Sequence, residues 1–121
     1  MTFPFRFRRR SNAKATGGTF DEVSFGPIPS CRVYRVTRFA TKDIDNAPTG
    51  KLQVYVDGHG YEHLIVEEAT PSADELWWEN QAIDLNEGES LVARYYGATV
   101  NDRLRLFVEG QWGKTRKQRT Y

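Results

Sequence analysis

Lys51-Leu-Gln-Val-Tyr-Val56, Asp57-Gly58-His59-Gly60 and Tyr61-Glu-His-Leu-Ile-Val-Glu-Glu68 together spell a β-hairpin. Leu52, Val54 and Val56 alternate with Lys51, Gln53 and Tyr55. Successive strand side chains leave on opposite faces, so this segment reads as a half-buried strand. Asp57-Gly58 suits the positive φ angles of a tight turn. Tyr61–Glu68 then returns with Leu64 and Val66 on one face.

The pattern spreads outward from this hairpin. In Arg103–Glu109, Leu104, Leu106 and Val108 share one face, while Arg103, Arg105 and Glu109 share the other. Glu89–Tyr96 precedes it across the turn-rich 97–102, and Asn86-Glu87-Gly88 joins Trp77–Leu85 to that strand. Thr19–Phe25 and Cys31–Thr41 are β-branched and aromatic, separated by Gly26-Pro27-Ile28-Pro29. The alternation of Cys31–Thr41 slips near Arg35, which predicts a bulge or a long two-sided strand. About seven or eight strands at spacings of roughly 8–12 residues predict an all-β fold. The expectation is a single antiparallel β-sandwich, jelly-roll-like. Predicted core positions include Phe20, Val36, Phe39, Leu64, Trp78, Leu104 and Leu106. Ser72–Leu76 is a candidate for one helical turn.

The 121 residues carry 17 basic and 16 acidic side chains, a net charge of +1. The total conceals a division. Arg6, Arg8, Arg9, Arg10 and Lys14 lie in an N-terminal stretch without acids. Lys114, Arg116, Lys117 and Arg119 lie in a C-terminal stretch without acids, and the middle is acidic. Three parts follow: a basic aromatic arm at 1–18, a sandwich body at 19–112 and a basic tail at 113–121. No apolar run approaches the ~18–20 residues of a membrane-spanning helix. Met1–Arg10 alternates Phe with Arg where a secretion signal would be apolar, so secretion is not expected. One cysteine, Cys31, cannot form an internal disulfide.

Motifs for chemistry are sparse. His59 and His63 straddle the hairpin and would need further ligands to hold zinc. Cys31 has no local catalytic motif. There is no nucleophile elbow, phosphate-binding loop or zinc-finger spacing. No cofactor, metal or small-molecule substrate is expected, and no enzymatic activity. Trp77 and Trp78, between Glu75 and Glu79, offer a ring to stack on a sugar, but neighbours in a strand face opposite sides. One is therefore expected in the core and the other at a surface.

Thr2-Phe-Pro-Phe-Arg-Phe-Arg-Arg-Arg10 is the most unusual segment. Phe3, Phe5 and Phe7 alternate with cations, and Pro4 favours extended or sheet-edge backbone. An extended arm would put phenyl rings on one side and guanidinium groups on the other. Docking on a neighbouring protein, nucleic-acid binding and a solvated end are the readings open to it. The acidic body repels nucleic acid, so the expected partner is protein.

The stretch Ile83–Gly110, with its Glu87-Gly88 turn, its strand ending in Gly97, its Asn101-Asp102 turn and its closing Glu109-Gly110, resembles small β-sandwich virion proteins of tailed bacteriophages. The resemblance covers about 28 of 121 residues. It implies a virion location and a non-enzymatic structural role, as a capsid decoration (cement) or minor capsid subunit, with a neck, tail or baseplate component as the alternative. It implies no catalytic residues. The expected partners are the major capsid protein and copies of the chain itself. Phe3, Phe5, Arg6, Phe7, Arg8, Arg9 and Arg10 would anchor the docking, Lys114, Arg116, Lys117 and Arg119 would meet an acidic surface, and Trp77, Trp78 and Trp112 are further interface candidates. A carbohydrate-binding module using Trp77 or Trp78 is the competing reading of a different class.

Overall fold

A computed structural model describes residues 2–115. It contains eight strands: β1 (Phe5–Lys14), β2 (Phe20–Phe25), β3 (Arg32–Asp43), β4 (Lys51–Gly58), β5 (Tyr61–Ala69), β6 (Trp77–Leu85), β7 (Ser90–Tyr96) and β8 (Arg103–Lys114). They form two antiparallel sheets, ordered β1-β8-β3-β6 and β2-β7-β4-β5. Strand β1 pairs with β8, β2 with β7, β3 with β6 and β4 with β5. This is the pairing of one long ribbon folded at the β4–β5 hairpin and rolled up, the jelly-roll sandwich expected from the alternation.

The hairpin turn itself sits two residues later than Asp57-Gly58. Gly58 pairs with Tyr61, leaving His59 and Gly60 as the loop, with φ of 54° and 84°. Two central residues at positive φ match the twist of the flanking strands. The slip near Arg35 is a register shift between Val36 and Arg38. No helix forms at Ser72–Leu76, which is a turn.

Val36, Phe39, Leu52, Leu85, Leu91, Tyr95, Leu104 and Leu106 fill the space between the sheets. Three predicted core residues face outward instead: Phe20 is 42%, Leu64 53% and Trp78 52% exposed. Strand parity explains Phe20, because Val23 and Phe25 claim the inner face of β2. A register shift at Val54/Tyr55 sets Leu64 opposite Tyr55 rather than among the inner residues. Trp78 lies opposite Ala40, while Trp77 takes the inner face and packs on Phe39 at 5.8 Å.

The arm expected to dock on a neighbouring protein is a correction of greater consequence. Phe5–Lys14 is a strand of the sandwich, registered along β8 from Phe5↔Trp112 to Lys14↔Arg103. Phe7 is buried against Phe25 and Tyr34, at 5.6 and 4.9 Å. Phe5 stacks on Trp112 at 4.4 Å, and Arg35 sits over the Phe3 ring at 4.3 Å. The period-two pattern of rings and cations is present, but the apolar groove it fills belongs to its own chain. Trp112 is likewise committed, between Phe5, Tyr34 and the Arg32 guanidinium. Gly113 and Lys114 end β8 rather than begin a tail. Arg116, Lys117 and Arg119 lie outside the described residues.

Candidate functional site

With β1 in place, the outer face of the β1-β8-β3-β6 sheet acquires an ordered pattern. Register sets Arg10 beside Phe107, Phe107 beside Ala40 and Ala40 beside Trp78. Strands lie ~4.8 Å apart, so this row crosses the sheet over roughly 14 Å. One step along the strands on one side, Arg8, Glu109, Arg38 and Asn80 form the next outward row. On the other side, Asn12, Arg105 and Lys42 form another. An apolar floor of Phe107, Ala40 and Trp78 therefore runs between cationic banks. Leu76, 41% exposed, extends the floor at the β6 end.

The depression has a volume of about 430 Å³, lined by Arg8, Arg10, Arg38, Lys42, Leu76 and Phe107 among others. Arg38 holds its guanidinium 5.0 Å from the Trp78 ring centre. Glu109 is the one carboxylate among the described lining residues, and it is shared between Arg8 at 3.4 Å and Arg38 at 3.9 Å. Lys42 pairs with Asp74 at 3.0 Å. These contacts are solvent-exposed, so each contributes at most about 1 kcal/mol and its cation is free to exchange partners. Guanidinium forks bind carboxylate, sulfate or phosphate oxygens in pairs. The indole of Trp78 supplies a flat apolar surface beside them.

The opposite sheet presents a closed network. Arg94 is inserted between Glu22 at 2.7 Å and Glu62 at 2.8 Å, and donates to the Tyr55 hydroxyl at 2.7 Å. Tyr55 in turn donates to Glu22. Burial, followed by that bond to Glu22, pushes the Tyr55 hydroxyl well above its ordinary pKa. Arg94 is answered by two carboxylates, so the network ties β2, β7, β4 and β5 together and leaves its guanidinium engaged.

Of the predicted site residues, Arg8, Arg9 and Arg10 line the groove, and Trp78 adjoins it through its pairing with Ala40. Arg6 follows one step along the same outer face, opposite Gln111. Phe7 is in the core, Trp77 and Trp112 are partly buried against it, and Phe5, 43% exposed, stacks on Trp112 at the rim. His59 contacts the Glu87 carbonyl through Nε2 at 3.1 Å, and His63 stands on the exposed β5. Arg38, Lys42, Arg105 and Phe107 are the groove residues that sequence reasoning missed. The signal was available in β8: its outward series is Arg103, Arg105, Phe107, Glu109, and a phenylalanine among outward charges marks a surface with a use.

No family model matches the sequence, and no curated protein matches it. Among solved structures, the chain is similar to a mutant of CBM29-2, a family 29 carbohydrate-binding module, with 16% identity, a TM-score of 0.44 and coverage of 83% of this chain and 65% of that one. It is similar to an exo-beta-1,3-galactanase from Phanerochaete chrysosporium, crystallised with galactose, at 14% identity, a TM-score of 0.41 and coverage of 87% and 29%. It is also similar to dimeric latent PorU from Porphyromonas gingivalis, at 9% identity, a TM-score of 0.42 and coverage of 92% and 13%. The chain thus spans less than two thirds of the length of each of these structures.

Proposed function

We propose that this chain is a non-enzymatic carbohydrate-binding module whose groove takes an acidic polysaccharide, a chain bearing uronate or sulfate groups. The observation that carries the reading is the row Phe107–Ala40–Trp78 between two banks of cations. A sugar ring has an apolar face and polar edges. The Trp78 indole meets the face, while Arg8, Arg10, Arg38 and Lys42 meet anionic substituents at the edges. A hydrolase acting on such a chain would need two carboxylates about 5–9.5 Å apart across the bond; the described lining residues supply Glu109 alone. Binding without cleavage is what these residues can do.

The test is a binding series on the full chain by affinity electrophoresis and calorimetry. Polygalacturonate, alginate and heparin represent acidic chains; cellulose and mannan oligosaccharides represent neutral ones. Binding to at least one acidic chain, weakened by Trp78→Ala and by Arg38→Ala, supports the reading. Folded protein that binds none of them refutes it.

A second reading draws on the ladder of Arg6, Arg8 and Arg10 along the exposed face of β1. A structural subunit of a virion would set this ladder against an acidic neighbouring subunit. In that case the groove cations bind protein, the glycan series is negative, and Arg8→Glu abolishes assembly with the particle.

A further inference from the structure

We infer that Asp43, Asp45 and Asp102 form a binding site for a hard divalent cation of the calcium class, at the end of the sandwich where the connections before β4 and β8 meet. This is separate from the groove and does not depend on what the groove binds. Asp43 is the last residue of β3, Asp45 follows in the next loop, and Asp102 immediately precedes β8.

The geometry is that of one coordination shell. A carboxylate oxygen from each of the three residues lies within 4.8 Å of the other two. Calcium binds oxygen at about 2.4 Å, so ligands on opposite sides of one ion stand about 4.8 Å apart.

Charge and hydrogen-bond accounting point the same way. Asp43 and Asp102 are 1% and 2% exposed. Among the described residues, neither joins an ion pair. Asp45 is different: its charge is answered by Arg103, whose guanidinium reaches Oδ1 at 2.9 Å. Two buried carboxylates are left to be compensated, and burial of an unanswered charge is costly.

Three of their four oxygens have partners. Asp43 Oδ1 accepts the backbone N–H groups of Asp45 and Asn46, at 3.1 and 3.3 Å. Asp102 accepts the Asn46 side-chain amide on Oδ1 at 2.7 Å and the Thr99 N–H on Oδ2 at 3.1 Å. Asp43 Oδ2 is buried with no partner. An oxygen in that position needs a proton or a cation.

The donor set decides the class of ion. Carboxylate oxygens without imidazole or thiolate favour hard cations, and loop-borne ligands completed by water suit calcium's variable geometry. The site also ties together distant parts of the chain. The Ala15 N–H donates to the Asp102 carbonyl at 2.8 Å, and the Asp74 N–H donates to the Asp43 carbonyl at 2.7 Å. A bound ion would therefore brace the connections after β1, β3, β5 and β7 at once.

The test uses the full chain, stripped with a chelator and then titrated with CaCl₂ near neutral pH. Calcium at about a hundred times its Kd is expected to raise Tm by about 5–10 °C, with a calorimetric binding heat. Asp43→Asn should keep the fold, since its amide can donate to Asp102, and should lose the calcium response. If that variant does not fold, the calorimetric titration of the unaltered chain decides. Neither a heat nor a Tm change with calcium or magnesium up to about 10 mM would overturn the site. So would an Asp43→Asn variant that keeps the full response. A Tm that ignores calcium and climbs only as pH falls from about 8 to about 5 would also overturn it, assigning the position to a proton shared by Asp43 and Asp102.

Discussion

Trp77 and Trp78 are adjacent in sequence and opposite in fate. Register with β3 places Trp77 toward Phe39 and Trp78 beside Ala40 on the outer face. Different losses are expected from removing each ring. Trp78→Ala should weaken acidic-glycan binding about 30-fold, near the 2 kcal/mol of an aromatic hot spot, while Tm stays close to that of the parent. Trp77→Ala should cost about 2–4 kcal/mol of stability and leave the groove intact. Denaturant melts and a binding titration on both variants check the pair; equal binding losses would remove Trp78 from the site. Gly110 is decided on the same scale. It lies in β8 beside the β3 register shift, where a methyl group would collide with the Arg35 carbonyl oxygen. Gly110→Ala is expected to destabilise by about 1–3 kcal/mol, read as a lower denaturant midpoint. An unchanged midpoint would mean that the strand pair yields there without strain.

Strand β1 shows what an element's sequence leaves open. Phenylalanine and arginine alternating around Pro4 describe a free arm and an edge strand equally well. The choice rests on what waits at the other end of the ribbon. Phe25, Tyr34 and Trp112 leave an aromatic seam that Phe5 and Phe7 complete. Burial of Phe7 stabilises the closed sheet by about 1.5–3 kcal/mol in transfer terms, and Phe5, 43% exposed, adds a smaller part. Deleting residues 2–14 should therefore strip β8 of its edge partner and bare Tyr34 and Trp112. The expected outcome is an aggregated or unfolded product by size-exclusion chromatography and circular dichroism. A soluble truncated monomer with parental melting would show that β1 is dispensable to the fold. Phe7→Ala is the milder version, with a loss of about 3–5 kcal/mol. The same element also explains why the groove was hard to foresee: Arg8 joins one bank and Arg10 closes the end of the floor only once β1 is seated against β8.

At the scale of the whole molecule, charge is sorted by face rather than by position along the chain. The N-terminal arginines join Arg38, Lys42 and Arg105, which come from the acidic middle, on one sheet. Glu22, Glu62 and Glu67 gather on the other, around Arg94 and Lys51. Under the proposed reading a polyanion would be drawn to one side. Acidic-glycan binding should weaken steeply between low and high salt, because the groove cations are exposed and screened. Thermal stability over the same range should hardly move, since exposed pairs contribute little. Salt-independent binding, measured by calorimetry, would point to stacking on Trp78 without the cations.

The sequence by itself determined seven of the strands, most of their inward faces, the hairpin at the fold's tip and the opposed tryptophans. All of these follow from a two-residue period and local turn chemistry. Only the tertiary structure decided that Phe5–Lys14 is a strand, that Phe107 and Trp78 share a floor, and that Asp102 meets Asp43 and Asp45. These contacts join residues tens of positions apart. Alternation says which face a side chain takes but not which strand will lie beside it, and that pairing is settled by the fit of the closed core.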